Sequence, residues 1–422
     1  MTLTPSRAIF WALLFCNAPA LAADYPDLPG SAQVETAINQ SITVQNASTG
    51  LKLEQSNRRR WQDGSYEFNV RAGSAQRQVI NTGQKLKEWD LSVERPVRLP
   101  NKMLLDQDIG SEAVARAEYA LGDARHEAGR VLLKLWFNWQ RERAQAEQWQ
   151  QQIALLQQQA DLTGKRVKTG DAPKMEHHQA LSALALATVA SQQAGMRAQL
   201  AANELRRQFP ALPLPDTTPH QPPLPIEHDL AYWQDAALHH NHELGMAQSE
   251  RRLQQLLAQR SRADQIPDPT LGLRYSSEFG GNDHVTGVYV VVPISFGLRG
   301  VNADNAGHQA TISADKAAFV ERRLTGDIYA AYQQAVSSFA SWQHTVQAAD
   351  GVRQNAELVA RAYTLGESSL GDTLTARRLA LESTLAEVTA QLDANEARYR
   401  LLLDSHQLWP LDDEDDAAHD HY

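Results

Sequence analysis

The segment that decides the fold is TLGESSLGDTLTA at residues 364–376, read together with KTGDAPKMEHHQA at residues 168–180. The two segments align at an offset of 196 residues, which places Gly366 on Gly170. In each, the glycine is followed by an acidic residue after six positions and by an alanine after ten. Glycine is the usual residue where a helix ends and the chain turns. A helix-ending turn that occurs twice predicts a chain built from two tandem halves.

Other segments repeat in the same order. Pro96 in DLSVERPVRLPNK matches Pro293 in GVYVVVPISFGLR at an offset of 197, and an earlier helical segment matches at an offset of 200. Anchors in a constant order are hard to obtain by chance, so one half has about 200 residues. The predicted organisation is a first half at 23–209, a proline-rich connector at 210–228, a second half at 229–409 and an acidic tail at 410–422.

Residues 1–22 have the features of a cleavable secretory signal. Arg7 precedes nine apolar residues, too few for a bilayer span of roughly 20, and ALA at 20–22 provides a cleavage site. Cys16 is the only cysteine, and the large residues before it make a poor acylation site. Because Cys16 leaves with the signal, disulfides and thiol chemistry are not expected in the mature chain.

Charge and composition argue against a nucleic-acid-binding protein and against a protein with membrane-spanning helices. The net charge is −10 and the basic residues form no cluster, which argues against nucleic acid as a partner. No run of 18 apolar residues occurs, so no membrane helix is predicted. Seven prolines in residues 210–225 predict an extended connector. The charge run DDEDDAAHDHY predicts a disordered tail.

Each half shows the same order of elements. Tyr66, Phe68 and Val70 alternate with polar residues, which is the period-two pattern of a strand with one apolar face. About 60 residues of high helix propensity without proline then predict a helix on the order of 90 Å long. Strands are predicted near 66–77, 88–97, 270–279 and 285–296, and helices at 31–60, 101–163, about 174–209, 229–263, 301–363 and 373–406.

The last helix of each half carries a regular seam. Leucine and other large residues recur in steps of four and three in the second half, which is the pattern of coiled-coil packing. The first half uses alanines in the equivalent helix. The two seams are Leu381, Leu385, Val388, Leu392, Asn395, Tyr399 and Leu402, and Ala180, Ala183, Ala187, Ala190 and Ala194. By themselves these helices also fit a soluble periplasmic coiled-coil scaffold or adaptor.

The predicted strands favour a class of protein other than a soluble scaffold. An isolated hairpin is marginal in water and its open edges pair with other chains, whereas four strands are too few to close a barrel, which needs about eight. Several chains would therefore share one barrel. Phe68, Val70, Trp89 and Leu91 would face lipid together with Tyr66, and Glu67, Asn69, Arg71 and Asp90 would face a polar lumen. The strand at 285–296 is apolar on both faces, so its orientation stays open.

The order and duplication of these features resemble the TolC-type outer-membrane efflux family. ALHHNHEL, within 236–244, is similar to the opening of the family's repeat, and YTLGESSLGDTLTA at 363–376 is similar to its second tip. The resemblance implies a mainly α fold with a β-barrel part, in which a homotrimer shares a 12-stranded barrel in outer-membrane lipid and an α-helical tunnel across the periplasm. A periplasmic membrane-fusion adaptor and an inner-membrane pump of the RND type would be the partners, and no cofactor is expected.

The resemblance also implies site residues. In that family acidic residues just past the second tip glycine narrow the periplasmic end, which assigns a pore constriction to Asp372 and, by the internal repeat, to Glu176. Gly170 and Gly366 would form the periplasmic tip turns. Thr375 stands where the family has a second acidic residue. The alternative is that both carboxylates only stabilise helix N-termini.

No enzyme motif is found, and the cargo remains open. The pairs at 177–178 and 239–240 are adjacent histidines that point to different faces of a helix. The 14 histidines and the tail residues His419 and His421 resemble the heavy-metal (CzcC/CusC-like) branch of the family. Histidine and carboxylate suit such cations. Heavy-metal efflux is therefore the first hypothesis, and export of small organic toxicants or drugs the second.

Overall fold

The computed structural model describes residues 25–64, 66–216, 221–295, 297–409 and 411, and these ranges contain eight α-helices and four β-strands. The order helix, helix, strand, strand, long helix, helix occurs once in each half of the chain. The helices are α1 Ser31–Asn39, α2 Ile42–Asp63, α3 Pro100–Thr169, α4 Lys174–Gln208, α5 Leu230–His239, α6 His242–Ala263, α7 Leu298–Leu365 and α8 Leu370–Asp404. The strands are β1 Asn69–Gln78, β2 Lys85–Pro96, β3 Thr270–Glu278 and β4 Asp283–Val291.

The two long helices confirm the sequence prediction and extend a few residues beyond it. Helix α3 has 70 residues and α7 has 68, which corresponds to about 100 Å each. Pro100 occupies the first turn of α3, where its missing N–H costs nothing. Neither helix contains proline after its first turn. Across the described ranges, no helix combines the length and apolar character needed to cross a membrane.

Two predicted helices are broken, and these predictions were wrong in detail. The segment 229–263 forms α5 and α6, because the Asn241 side chain accepts a hydrogen bond from the Leu244 amide at 2.9 Å and caps a new helix. The segment 31–60 likewise divides at residues 40–41 into α1 and α2. Ile42 then begins α2 with 73% of its surface exposed, so it does not continue the buried stripe of Val34 and Ile38.

The seams of α4 and α8 pack as their spacing predicts. In α4, Ala180, Ala187 and Ala194 are buried at intervals of seven residues. In α8, Leu381, Leu392 and Leu402 are buried, as are Asn395 and Tyr399. Helix α4 packs against α3, and α8 packs against both α7 and α3. The small alanine side chains allow α4 to approach α3 closely.

The main core surrounds the middle of α3 and is closed by the N-terminal segment. Trp136 and Phe137 are buried there against α1, the end of α4 and the end of α8. Asp27 is also buried: its carbonyl accepts hydrogen bonds from Trp136 Nε1 at 2.8 Å and from Gln140 Nε2 at 2.9 Å. Its carboxylate accepts a bond from the Tyr399 hydroxyl at 2.7 Å. Polar contacts therefore fix the first described residues to α3 and α8.

The connector lies against the same core. Its described parts, 210–216 and 221–228, contain neither helix nor strand, as the prolines predict. The carbonyl of Gln221 accepts hydrogen bonds from the side chains of Gln391 and Asn395, both at 2.9 Å. The connector therefore crosses α8 at its buried seam.

A buried ion network joins the sheet to the helices. Lys102 near the start of α3 is fully buried, and its Nζ lies 3.0 Å from carboxylate oxygens of both Asp264 and Asp268. Asp106 on the next turn pairs with Arg98 at 2.8 Å and with Arg260 at 2.5 Å. Because these residues come from both halves, the network ties the start of α3 to the end of α6.

The strands form one antiparallel sheet in the order β1-β2-β3-β4. Facing residues in the ladder share one side of a sheet, and Val70, Val93, Leu273 and Val288 form one apolar row across all its strands. Val288 lies in that row, which settles the orientation of the ambiguous strand. β1 starts at Asn69, so the predicted strand positions of Tyr66, Glu67 and Phe68 were wrong. The Tyr66 hydroxyl donates to the Asp268 carboxylate at 3.1 Å, which holds Tyr66 beside the segment between α6 and β3.

Several predictions concern residues outside the described ranges. The secretory signal at 1–22 with Cys16 and the acidic tail beyond 411 with His419 and His421 belong to these.

Candidate functional site

The two repeated turns lie at the ends of α3 and α7 and have the same backbone structure. Gly170 and Gly366 adopt left-handed φ values of 80° and 82°. At each glycine, its own N–H and that of the next residue donate to carbonyls of the last helical turn, which is the Schellman arrangement. The two turns, which align at an offset of 196 residues in the sequence, therefore share one backbone geometry. A residue with a Cβ is strained at these φ values.

Glu176 and Asp372 occupy the same position in the helices that follow. Each is the third residue of its helix, α4 or α8, and lies in the first turn. A carboxylate there is stabilised by the partial positive charge of the helix N-terminus. The structure therefore brings both predicted residues to the same end of the two helical hairpins. Their surroundings, however, differ.

Asp372 bonds within its own turn. Its Oδ2 accepts from the Ser369 hydroxyl at 2.7 Å, and its amide N–H donates to the Ser369 hydroxyl oxygen at 3.1 Å. Together with the Ser369 amide, this forms a complete capping box. The carboxylate is nevertheless exposed to solvent. Asp372 thus caps a helix and also presents charge to the surroundings.

Glu176 instead contacts the other half of the chain. Its Oε2 accepts a hydrogen bond from the Tyr363 hydroxyl at 2.9 Å, and the same hydroxyl oxygen accepts from Arg166 NH1 at 2.9 Å. Burial raises the pKa of Tyr363, and the bond to Glu176 raises it further, while Arg166 lowers it. This chain of contacts joins the ends of α3 and α7 to the start of α4.

A small apolar cluster supports these polar contacts. Ala160, Ala180 and Leu370 are buried there, with Tyr363 and Leu374 packed against them. Helices α3, α4, α7 and α8 all contribute. The tips of the two hairpins are thus held together by packing as well as by hydrogen bonds.

Sequence reasoning did not identify Tyr363 and Arg166. Tyr363 stands one residue before the aligned segment, and its counterpart in the first half is Val167, so the internal repeat gives no sign of its role. The contacts of the Tyr363 hydroxyl with Arg166 and Glu176 can be recognised only when the distances between these side chains are known. Thr375, at the place of the family's second acidic residue, is exposed on α8 one turn after Asp372.

The sheet presents a second candidate surface. Its apolar row is exposed in this chain: Val70 is 68% exposed, Leu273 61% and Val288 77%. The opposite face carries polar contacts such as the bond from the Tyr289 hydroxyl to Glu94 at 2.9 Å. Exposed apolar surface of this extent marks contact with lipid or protein.

No protein-family model matches the sequence, and no curated protein matches it significantly. Solved structures, in contrast, match almost the whole chain, and the matching fold is that of outer-membrane channels. The mostly helical fold with a small antiparallel sheet that the TolC-type resemblance implied is therefore confirmed.

Three of these structures illustrate the likeness. The CmeC outer-membrane channel of Campylobacter jejuni is 14% identical with a TM-score of 0.75, over 92% of this chain and 87% of that one. The outer-membrane protein VceC of Vibrio cholerae is 16% identical with a TM-score of 0.73, over 90% and 99%. CusC, whose crystal structures concern folding and transmembrane channel formation, is 13% identical with a TM-score of 0.67, over 92% of this chain and 95% of that one. Identities this low establish the fold alone.

Proposed function

We propose that this chain is one subunit of a homotrimeric channel of the TolC type, which lies in the outer membrane and extends into the periplasm. It acts as the passive exit duct of a three-part efflux system and is not an enzyme. The observation that carries this proposal is the channel fold, combined with a sheet whose apolar face is exposed. A sheet of this size cannot close alone, whereas three copies supply enough strands for a barrel in outer-membrane lipid.

The exposed faces of the helices support the same assembly. Helices α4 and α7 carry large apolar side chains that the described residues leave largely exposed, among them Leu186 at 74% exposure and Leu358 at 66%. Together with Leu200 and Phe319 they form apolar surface along much of both helices. Neighbouring subunits that pack α4 against α7 would bury these side chains and complete a tunnel wall.

The paired tips are the proposed periplasmic entrance. Three copies each of Asp372 and Glu176 would form a pore constriction, and the tip turns at Gly170 and Gly366 would set its position. Rings of carboxylates attract cations and repel each other. The charge is mixed, because Arg166 bonds to Tyr363 in the same region, so we assign the stronger field to exposed Asp372. A periplasmic membrane-fusion adaptor and an RND-type inner-membrane pump are the proposed partners at this end.

Heavy-metal cations are the first proposed cargo. The carboxylates at the tips and the 14 histidines of the chain fit cations better than neutral solutes. Small organic toxicants or drugs are the second proposed cargo. The fold is shared by CmeC, VceC and CusC, so the fold alone does not specify what the channel exports.

Recording in planar bilayers tests the channel directly. Purified protein reconstituted as a trimer should give stepwise currents that favour cations, and cross-linking should yield trimers. A monomer that remains stable in water without detergent would contradict the proposal. Fractionation separates it from the rival class, since a channel follows outer-membrane markers and a soluble coiled-coil scaffold remains in the periplasmic extract.

A further inference from the structure

Three histidines that are far apart in sequence meet at one point of the fold. His126 lies in the interior of α3, His242 is the first residue of α6, and His406 follows the end of α8. One imidazole nitrogen from each lies within 4.8 Å of the other two. His126 is only 5% exposed, and the other two are buried or partly buried. Their rings are closely grouped, with centroids of His126 and His406 4.2 Å apart.

The backbone of His406 has an unusual conformation. His406 has a φ of 60°, a left-handed conformation that is costly for a residue with a Cβ. It occupies the position after α8 that glycine usually fills in a Schellman turn, with its N–H donating to the Leu403 carbonyl at 3.1 Å. Unfavourable backbone conformations of this kind are concentrated at functional sites.

A glycine makes room for the second ring. A Cβ placed on Gly122 of α3 would lie 2.5 Å from Nδ1 of His242. Gly122 lies one turn before His126, on the same face of α3. The absence of a side chain at 122 therefore allows the imidazole of His242 to reach the face that carries His126.

Two carboxylates lie near the cluster. Asp123, next to Gly122, interacts electrostatically with His242, and Glu243 follows His242 and pairs with Arg323. Metal-binding histidines commonly have carboxylates as outer partners, which orient the rings and raise their basicity. The ring of His240 also lies 5.9 Å from that of His406.

We infer that His126, His242 and His406 form a binding site for a divalent transition-metal cation such as Zn²⁺. Three imidazoles with a fourth position open to water are an established ligand set for this ion. Nitrogens that share a tetrahedral Zn²⁺ lie about 3.4 Å apart, so side-chain movements of roughly 1 Å close the site. The ion would join α3, α6 and α8 at a point where both halves of the chain meet. This inference does not depend on the proposed cargo.

Cobalt provides a direct test. The full-length protein, purified in detergent and stripped with a chelator, should bind one Co²⁺ per chain, with the visible absorption of a low-coordinate site, and Zn²⁺ should displace it. His406→Asn retains a residue that tolerates left-handed φ, and we expect it to weaken Co²⁺ binding more than 100-fold. His242→Gln should do the same. His308→Ala and His344→Ala, at exposed positions of α7, should leave binding unchanged.

Two further measurements leave all three histidines in place. Gly122→Ala places a methyl group against the His242 ring and should weaken Co²⁺ binding at least tenfold, although alanine favours the helix. X-ray absorption of the zinc-loaded wild type should show three imidazole ligands. The inference is overturned if the wild type shows no saturable binding of one ion per chain, if His406→Asn binds as tightly as wild type, or if fewer than three imidazoles are seen.

Discussion

The hydroxyl of Tyr363 donates to the carboxylate of Glu176 across 2.9 Å, and this bond connects the last turn of α7 to the first turn of α4. The two residues are separated by most of the second half of the chain, and they belong to different helical hairpins. Any movement that separates the hairpin α7–α8 from α3–α4 at the tips must break this bond. If the tips form the entrance of a channel, the bond favours its narrow state.

Removal of this hydroxyl should make opening easier. Tyr363→Phe leaves the ring in the apolar cluster but deletes the bond to Glu176, at a cost of roughly 1 kcal/mol to the closed tip. We expect single-channel conductance or open probability to increase severalfold in planar bilayers. Tyr329→Phe, at an exposed position of the same helix, is the matched control and should behave as wild type. Equal currents from Tyr363→Phe and wild type would show that the bond has no part in gating.

The charge of Asp372 can be separated from its capping role. Asp372→Asn retains a side-chain acceptor for the Ser369 hydroxyl but removes the charge, whereas Ser369→Ala breaks the capping box and keeps the charge. We expect Asp372→Asn to reduce cation selectivity with little effect on stability. Ser369→Ala should lower the free energy of unfolding by about 1 kcal/mol with unchanged selectivity, measured as the reversal potential in a salt gradient. A change of selectivity in Ser369→Ala alone would refute the assignment of the charge.

The buried bond between Tyr399 and Asp27 should control alkaline stability. Burial raises the pKa of Tyr399, and the bond to Asp27 and its negative charge raise it further. Because the neutral hydroxyl is favoured in the folded chain, its contribution is complete below the ordinary tyrosine pKa of about 10. It begins to fall once the pH exceeds that value, because the unfolded chain then releases the tyrosine proton while the folded chain retains it, and the loss is complete at the higher folded-state pKa.

Tyr399→Phe should therefore reduce stability at neutral pH by about 1–3 kcal/mol, because the buried Asp27 carboxylate loses a partner. The difference from wild type should shrink above pH 10. Thermal unfolding followed by circular dichroism from pH 7 to 11 measures both effects, with Tyr329→Phe as the control. A constant difference across this range would contradict the proposed contribution of the neutral hydroxyl.

The network around Lys102 should be essential for attaching the sheet. Lys102→Met removes the buried ammonium that Asp264 and Asp268 share. The two carboxylates are partly exposed and keep other partners, so we expect a cost of about 1–3 kcal/mol, the usual range for loss of hydrogen bonds to charged groups. We expect a markedly lower unfolding temperature. Lys52→Met, at an exposed position of α2, should have almost no effect. Comparable stability of the two variants would mean that the network is not required.

Much of the fold could be predicted because local patterns determine it. High helix propensity without proline predicted the long helices at 101–163 and 301–363, and the alternation of apolar residues predicted the strands. The breaks within 31–60 and 229–263 were missed because the periodicity continues across them. The side chain of Asn241 caps the start of a new helix, α6, and such a cap depends on one residue, which no periodicity reveals.

The tandem organisation, the helical turns at Gly170 and Gly366 and the equivalence of Glu176 and Asp372 could be predicted from the sequence, because each is visible in short segments that repeat along the chain. Only the tertiary structure decided that Glu176 meets Tyr363, that Lys102 is buried between two aspartates, and that His126, His242 and His406 come together. The physical reason is distance along the chain. Contacts across more than 100 residues depend on which long helices pack together and in which register. The side-chain spacing within one helix predicts its buried face but does not specify its partner or the register.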